Sequence, residues 1–297
     1  MDISVVIATY NGEKYLEQQL DSILSQTLPP AELIICDDCS IDRTLTILEK
    51  YRKRGLLTYV RNDRQLGLID NFKKAVSLAA ETNYVALSDQ DDQWLPDKLQ
   101  RSAELLDQMD QKLPAMVYTD LLLVDQDEHI LNTSFRNERG QDHYQHNLQT
   151  LFFSNFVNGC TVLMNSKLRF FFANMPNHIK LNHDGWLALA AFTFGEPKSI
   201  NSALVRYRKH ENNVSTTLGT VPKNRYLNTI NQLVNAWTGH DDFLSVELET
   251  TRYFYMKYKD EMSPDKRKYF EDFLKLESKS FLFKKLAYGK IVRKYKI

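Results

Sequence analysis

The sequence predicts an α/β fold: a mainly parallel, Rossmann-like sheet with helices on both faces, followed by a C-terminal helical region. Three observations predict it. Short continuous apolar runs alternate with amphipathic stretches through the first part of the chain. Gly, Pro and Asn mark the changes between them. Acidic and polar residues directly follow the apolar runs, where an open parallel sheet binds its ligands.

Residues 3–8 form a continuous apolar run of the buried-strand type. Thr9, Tyr10, Asn11 and Gly12 end it, and residues 13–26 show helical spacing through Tyr15, Leu16, Leu20, Ile23 and Leu24. Pro29 and Pro30 stop that helix, and residues 33–36 form a second buried strand ending in Asp37 and Asp38. Ser40 and Asp42 are suited to cap a helix that runs to about Arg54. Residues 57–60 give a third strand, 67–80 a helix and 84–88 a fourth strand. A helix follows over about 97–110, then a long strand at 116–124, with further strands expected at 160–164 and 202–207. From about Pro222 the pattern is helical and rich in aromatics and Lys. The Ser, Thr, Gly and Pro of 214–222 mark the best boundary, giving a domain over 1–215 and a helical region over 216–297.

Composition excludes several classes. At 297 residues, 43% hydrophobic and 26% charged, the chain is an ordinary globular one. Lys and Arg total 38 and so do Asp and Glu, so no overall field argues for nucleic acid, and none is expected as a partner. The ten glycines are dispersed, leaving neither G-x-G-x-x-G nor a P-loop, which disfavours nicotinamide dehydrogenases and P-loop kinases. Cys36 and Cys39 have a spacing that suits metal or redox chemistry, but a zinc site needs a second pair of ligands and none is visible. The plainer reading is two buried thiols in a reducing compartment. The opening residues lack the basic start of a signal peptide, and no apolar run approaches the ~20 residues of a membrane span. The expected location is therefore the cytoplasm, with contact at the inner face of the cell membrane left open.

Three strand ends carry the polar set: Thr9, Tyr10 and Asn11; Asp37 and Asp38; and Asp89, Gln90, Asp91 and Asp92. A single carboxylate after a strand is often a helix cap. Three carboxylates within four residues repel one another unless a cation or donors compensate. Mg2+ or Mn2+ takes oxygen ligands and suits one or two carboxylates plus substrate phosphates. The alternative is a solvated acidic turn before the next helix.

With these residues in view, the sequence resembles glycosyltransferase family 2, with the GT-A fold, over roughly its first 215 residues. The matching pieces are VVIATYN at 5–11, SILSQT at 22–27, DDCSIDRT at 37–44, the DXD-like DQDDQWLPDKL at 89–99, NGCT at 158–161, HDGW at 183–186 and YRKHENNVS at 207–215. Each alone is weak, but seven in order are specific. The last two resemble the bacterial rhamnosyltransferase branch that builds cell-surface polysaccharide. Cys39 departs from the pattern, since family members often carry Gly there.

The resemblance implies roles. Ala8, Thr9, Tyr10, Asn11, Asp38, Asp89 and Gln90 would bind the donor, with Tyr10 beside a pyrimidine, Asp38 accepting from its ring N–H, and Asp89 on the ribose or the metal. Asp91 and His210 would hold Mg2+ or Mn2+, with Arg206 or Arg208 adding donors to the phosphates. Asp184 would be the general base, at the start of a helix. Trp94 and Trp186 are read as packing residues. The implied reaction is a single inverting displacement that moves a sugar from a nucleotide diphosphate donor to a saccharide or polyprenyl-linked acceptor. The first choice of donor is dTDP-L-rhamnose, and the alternative is a UDP-hexose. A sugar-nucleotide nucleotidyltransferase would need a glycine-rich basic loop after the first strand, which residues 9–14 lack; a non-catalytic binding module would not need Asp184. Residues 281–297 interleave Lys284, Lys285, Lys290, Arg293, Lys294 and Lys296 with apolar residues and contain no acid. Such a basic amphipathic segment suits an anionic membrane surface, or else a helix packed on its own domain.

Overall fold

The computed structural model describes residues 2–81, 84–177, 183–210 and 243–297. Four parallel strands come first: β1 (Ile3–Thr9), β2 (Glu32–Asp37), β3 (Thr58–Arg61) and β4 (Tyr84–Ser88), ordered β3-β2-β1-β4. They alternate with α1 (Leu16–Leu24), α2 (Thr44–Lys53) and α3 (Leu68–Leu78). β1 lies inside the sheet and buries both faces, so its sequence shows no polar alternation. Val5, Val6 and Ile7 are wholly buried, each side chain contributing about 1.5–3 kcal/mol by leaving water. Arg169 donates to the carbonyls of Val76, Ala79 and Ala80 and so satisfies the end of α3.

The second part of the sheet is mixed. β5 (Gln93–Trp94) leads into α4 (Lys98–Asp107) and β6 (Met116–Val124), which pairs with β7 (Ile130–Asn132). The chain continues through α5 (Phe135–Arg139), α6 (Leu148–Leu151), β8 (Leu163–Met164), α7 (Ser166–Ala173), α8 (His183–Phe194) and β9 (Lys198–Arg208). β8 runs antiparallel to both β4 and β6, and β9 runs parallel to β6 and antiparallel to β5. The strand expected at 160–164 is shorter. Gly159–Thr161 is a 3-10 turn, because Thr161 and Val162 donate their amides to Asn158 and Gly159 rather than to a ladder. α8 is apolar all round and buried from Gly185 to Thr193, as a helix without a polar face must be. It ends at Gly195, where a Cβ would lie 1.8 Å from the Pro114 carbonyl oxygen, so no larger residue fits. Trp94 and Trp186 are buried, and the Trp186 indole donates to the Phe171 carbonyl.

The described residues fall into two compact units: 2–135 with Val157–Asn177 and 183–210, and Arg136–Phe156 with 243–297. The boundary expected within 214–222 lies outside the described residues. The second unit contains α9 (Ser245–Tyr258), α10 (Pro264–Leu274) and α11 (Phe281–Lys294). Ser263 caps α10 by accepting from the Lys266 amide, with Pro264 in the first turn. Phe152 lies with ring centroids 4.9 Å from both Phe270 and Phe273, giving this unit an aromatic core.

Candidate active site

The carboxyl ends of β1, β2 and β4 stand in register. Thr9 pairs with Asp37, and Ile7 pairs with Ser88, so the segments that follow start at one sheet edge. Two loops there are laced together. The Asn11 amide donates to Ser40 Oγ (2.9 Å), the Ile41 amide donates to Asn11 Oδ1 (2.9 Å), and the Gly12 amide donates to Thr44 Oγ1 (2.8 Å). Asn11 and Cys39 both hold the left-handed conformation, at φ 48° and 66°. Glycine takes that conformation without strain, so the Cys39 departure bears on backbone geometry alone.

The expected donor-binding residues divide by what their side chains touch. Ala8 is buried in β1, and the Thr9 hydroxyl donates to Asp37 Oδ1 (3.1 Å). The Asn11 side chain serves the loop contact above. Gln90 grips the Tyr10 backbone from both sides, accepting from its amide and donating to its carbonyl, each at 3.0 Å. Tyr10, 47% exposed, is thus held at the edge with its ring presented to solvent. Asp38 accepts from Asn62 Nδ2 (2.8 Å), the Leu66 amide (2.7 Å) and the Gly67 amide (2.9 Å). A carboxylate offers about four lone-pair sites, which leaves capacity for one further donor.

Beyond β4 the acidic segment is held by β9. The Arg208 amide donates to Asp92 Oδ1 (3.4 Å), and Asp91 Oδ2 lies 2.8 Å from His210 Nε2, whose ring is 5.2 Å from that of Tyr15. Arg208, expected to add donors to the phosphates, is turned into the protein. It is 2% exposed, donates to Gln18 and to the carbonyls of Asp91 and Gln126, and lies 4.5 Å over the Tyr15 ring. Burial on β9 gives it the role of a brace. Arg206 pairs with Glu128 at 3.6 Å.

Asp89, Asp92 and Cys160 place ligand-type atoms within 4.8 Å of one another. Desolvation, then the charges of Asp91 and Asp184, push Asp89 up to about 7. Desolvation first, then Asp91 and Asp89, also push Asp92 well up, and Asp92 Oδ2 is buried without a hydrogen bond. The Cys160 thiol is raised by burial and by both carboxylates, so it stays protonated beside them. Behind them lies Lys98, fully buried, 3.6 Å over the Trp94 ring and lowered by desolvation to about 7. Such crowding of carboxyl groups favours a cation.

Asp184 lies in the first turn of α8, where its Oδ1 accepts from the Gly185 amide (2.6 Å). Its charge reaches Asp89. His183 is packed against Phe72 (4.9 Å between centroids) and against Gly159, where a Cβ would lie 2.3 Å from His183 Nε2. Burial lowers His183 to about 4 and keeps it neutral. Asp120, another acid of the sheet, accepts from Ser134 Oγ and the Leu121 amide. Sequence reasoning missed Cys160 and Lys98 as parts of this cluster. Cys160 was legible only as a member of NGCT, and Lys98 only as a member of the 89–99 segment at a helix start.

A Rossmann-like sheet with acidic strand ends, a DXD-like segment and an acidic helix start across from it defines a GT-A glycosyltransferase. The family model for glycosyl transferase family 2 matches residues 4–168. The putative teichuronic acid biosynthesis glycosyltransferase TuaG of Bacillus subtilis is 31% identical over 223 residues, covering 72% of this chain and 81% of its own. The chain belongs to glycosyl transferase family 2. Two solved structures share its fold. S. aureus TarS 1–349 with UDP-GlcNAc aligns at TM-score 0.55 and 22% identity over 72% of this chain and 60% of its own. The mannosyltransferase PcManGT of Pyrobaculum calidifontis with GDP-Man and Mn2+ aligns at TM-score 0.54 and 17% identity over 99% and 81%.

Proposed function

We propose that the protein is an inverting, divalent-metal-dependent glycosyltransferase that extends a cell-surface polysaccharide. The observation that carries this is the convergence of Asp91 and Asp184 on Asp89, whose carboxyl is raised by burial and then by both of their charges. The names of TuaG and TarS support a wall-polymer acceptor, TarS being a poly(ribitol-phosphate) N-acetylglucosaminyltransferase. The acceptor is a saccharide, free or carried on a polyprenyl lipid. The donor is a pyrimidine nucleotide sugar, dTDP-L-rhamnose by the resemblance of the HDGW and YRKH segments. The UDP-GlcNAc bound to TarS favours a UDP-hexose as the second reading.

In this reading Tyr10 packs beside the base and Asp38 accepts from it. Asp89 takes the ribose or the metal, and Gln90 fixes the Tyr10 loop. Asp91 and His210 would hold Mg2+ or Mn2+, and the acidic, oxygen-rich donor set fits that ion. The ion supplies neutralisation of the charge that grows on the departing diphosphate. Asp184 takes the proton of the acceptor hydroxyl as its oxygen bonds to the anomeric carbon. The bond from that carbon to the diphosphate oxygen breaks at the same time, the nucleotide diphosphate leaves with the electron pair, and the configuration inverts. Residues 1–215 are the catalytic domain and 216–297 a helical region whose basic tail contacts the inner face of the cell membrane. Among the described residues no helix is long and apolar enough to cross it.

The test is transfer from dTDP-L-rhamnose and UDP-hexoses, with and without metal. Turnover that needs Mg2+ or Mn2+ and a pyrimidine donor supports the reading. Full turnover in excess chelator contradicts it.

A further inference from the structure

We infer that the outward face of α11 is a two-part lipid-docking surface: an apolar patch of Leu282, Phe283 and Leu286 that enters the bilayer interface, continued by Lys290, Arg293 and Lys294, which meet anionic headgroups. This rests on the proposed membrane contact of the tail and assigns it a face, a chemistry and an orientation.

The helix has two different sides. Phe281 and Lys284 are buried, and Phe281 and Tyr288 make ring contacts with Phe243 (5.6 Å) and Phe153 (5.9 Å). Residues at these spacings share one helical face, so the inward side of α11 is already covered by its own unit. On the other side Leu282, Phe283 and Leu286 are 60%, 63% and 65% exposed, three large apolar side chains within five residues. A soluble surface seldom keeps such a patch without a use. Lys290, Arg293 and Lys294 are exposed, lie on the same side one to two turns on, and make no ion pair among the described residues. No acid occurs anywhere in 281–297. Exposed apolar side chains beside unopposed cations match the interface of an anionic bilayer, where apolar burial and attraction to headgroups act together. A protein partner or a second copy would have to offer an acidic apolar surface to do the same.

The experiment uses the full chain and sedimentation with phosphatidylcholine vesicles, with or without phosphatidylglycerol. Wild type is expected to bind the anionic vesicles and to be partly released by salt, since exposed charges are screened over about 8 Å at physiological ionic strength. Leu282→Ser/Phe283→Ser/Leu286→Ser should lose at least tenfold in affinity at every salt concentration. Lys290→Gln/Arg293→Gln/Lys294→Gln should lose as much at low salt and leave a residue of binding that salt no longer changes. Both variants should keep the wild-type thermal midpoint and turnover on a soluble acceptor. Wild-type vesicle binding by the apolar variant overturns the inference, and so does a wild-type dimer that the apolar variant abolishes while vesicles go unbound. Loss of turnover in wild type itself speaks against the catalytic reading and leaves the vesicle result standing.

Discussion

Asp91 Oδ2 and His210 Nε2 lie 2.8 Å apart and join the end of β4 to the segment after β9 across 119 positions of sequence. Both side chains are largely shielded, at 17% and 10% exposure. The pair is the expected metal position, so Asp91→Ala and His210→Ala should each raise the Mn2+ concentration needed for half-maximal turnover by tenfold or more. Thermal midpoints should move little, because Asp92 and Arg208 still tie the strands together. Unchanged metal dependence in both variants would remove this pair from the metal.

Gln90→Ala tests whether the Tyr10 loop is held for donor binding. The change removes two hydrogen bonds to the Tyr10 backbone, each worth about 0.5–1.5 kcal/mol net. Donor Kd by calorimetry should rise roughly tenfold, the equivalent of ~1.4 kcal/mol. An unaltered Kd would mean that the loop is ordered without Gln90.

Tyr10→Ala should weaken dTDP and UDP alike and leave stability unchanged, because the ring is half exposed in the ligand-free chain. GDP should bind at least tenfold more weakly than either pyrimidine nucleotide to wild type. Equal binding of GDP would place the base elsewhere.

His183 makes stability depend on pH. Its folded value of about 4 lies below the ordinary 6.5, so below pH 6.5 the unfolded chain binds a proton that the folded chain refuses. Its contribution is present above pH 6.5 and lost as pH falls through 4, on the order of 2 kcal/mol by pH 5. Asp89 acts in the opposite sense, since its raised value gives stability at low pH that is lost as pH rises through about 7. Comparing wild type with His183→Gln in urea cancels the carboxylates. The stability advantage of wild type should shrink by about that amount between pH 7.5 and 5. A gap that stays constant would show that His183 is not kept neutral by burial.

Much of the fold was legible because its strands are continuous apolar runs. β4 and β6 fall at the expected residues, and the other early elements within a few positions. β5 is two residues long, too short to carry any period, and only its pairing with β9 defines it, while β8 keeps two residues of the strand expected at 160–164, paired with β4 and β6. The acidic strand ends were legible as a cluster, but their supports were not. Cys160 comes from an element remote in sequence, and Lys98, though in the same 89–99 segment, reads as a solvated lysine at a helix start, because its burial beside Asp92 is not visible in sequence. Arg208 looked like a phosphate donor because charge is visible in sequence and burial is not.

The central claim is that Asp184 takes the proton of the acceptor, and Asp184→Asn tests it most directly. The substitution keeps size and a side-chain oxygen able to accept from the Gly185 amide, so its stability cost should stay within about 1 kcal/mol. The measurement is donor Kd and turnover on the same preparation, with the thermal midpoint as the check on folding. The account predicts a Kd within about threefold of wild type and turnover lower by at least ~10²-fold. Turnover preserved per folded molecule, with a lowered thermal midpoint, would contradict it and leave Asp184 as no more than a residue that shapes the start of α8.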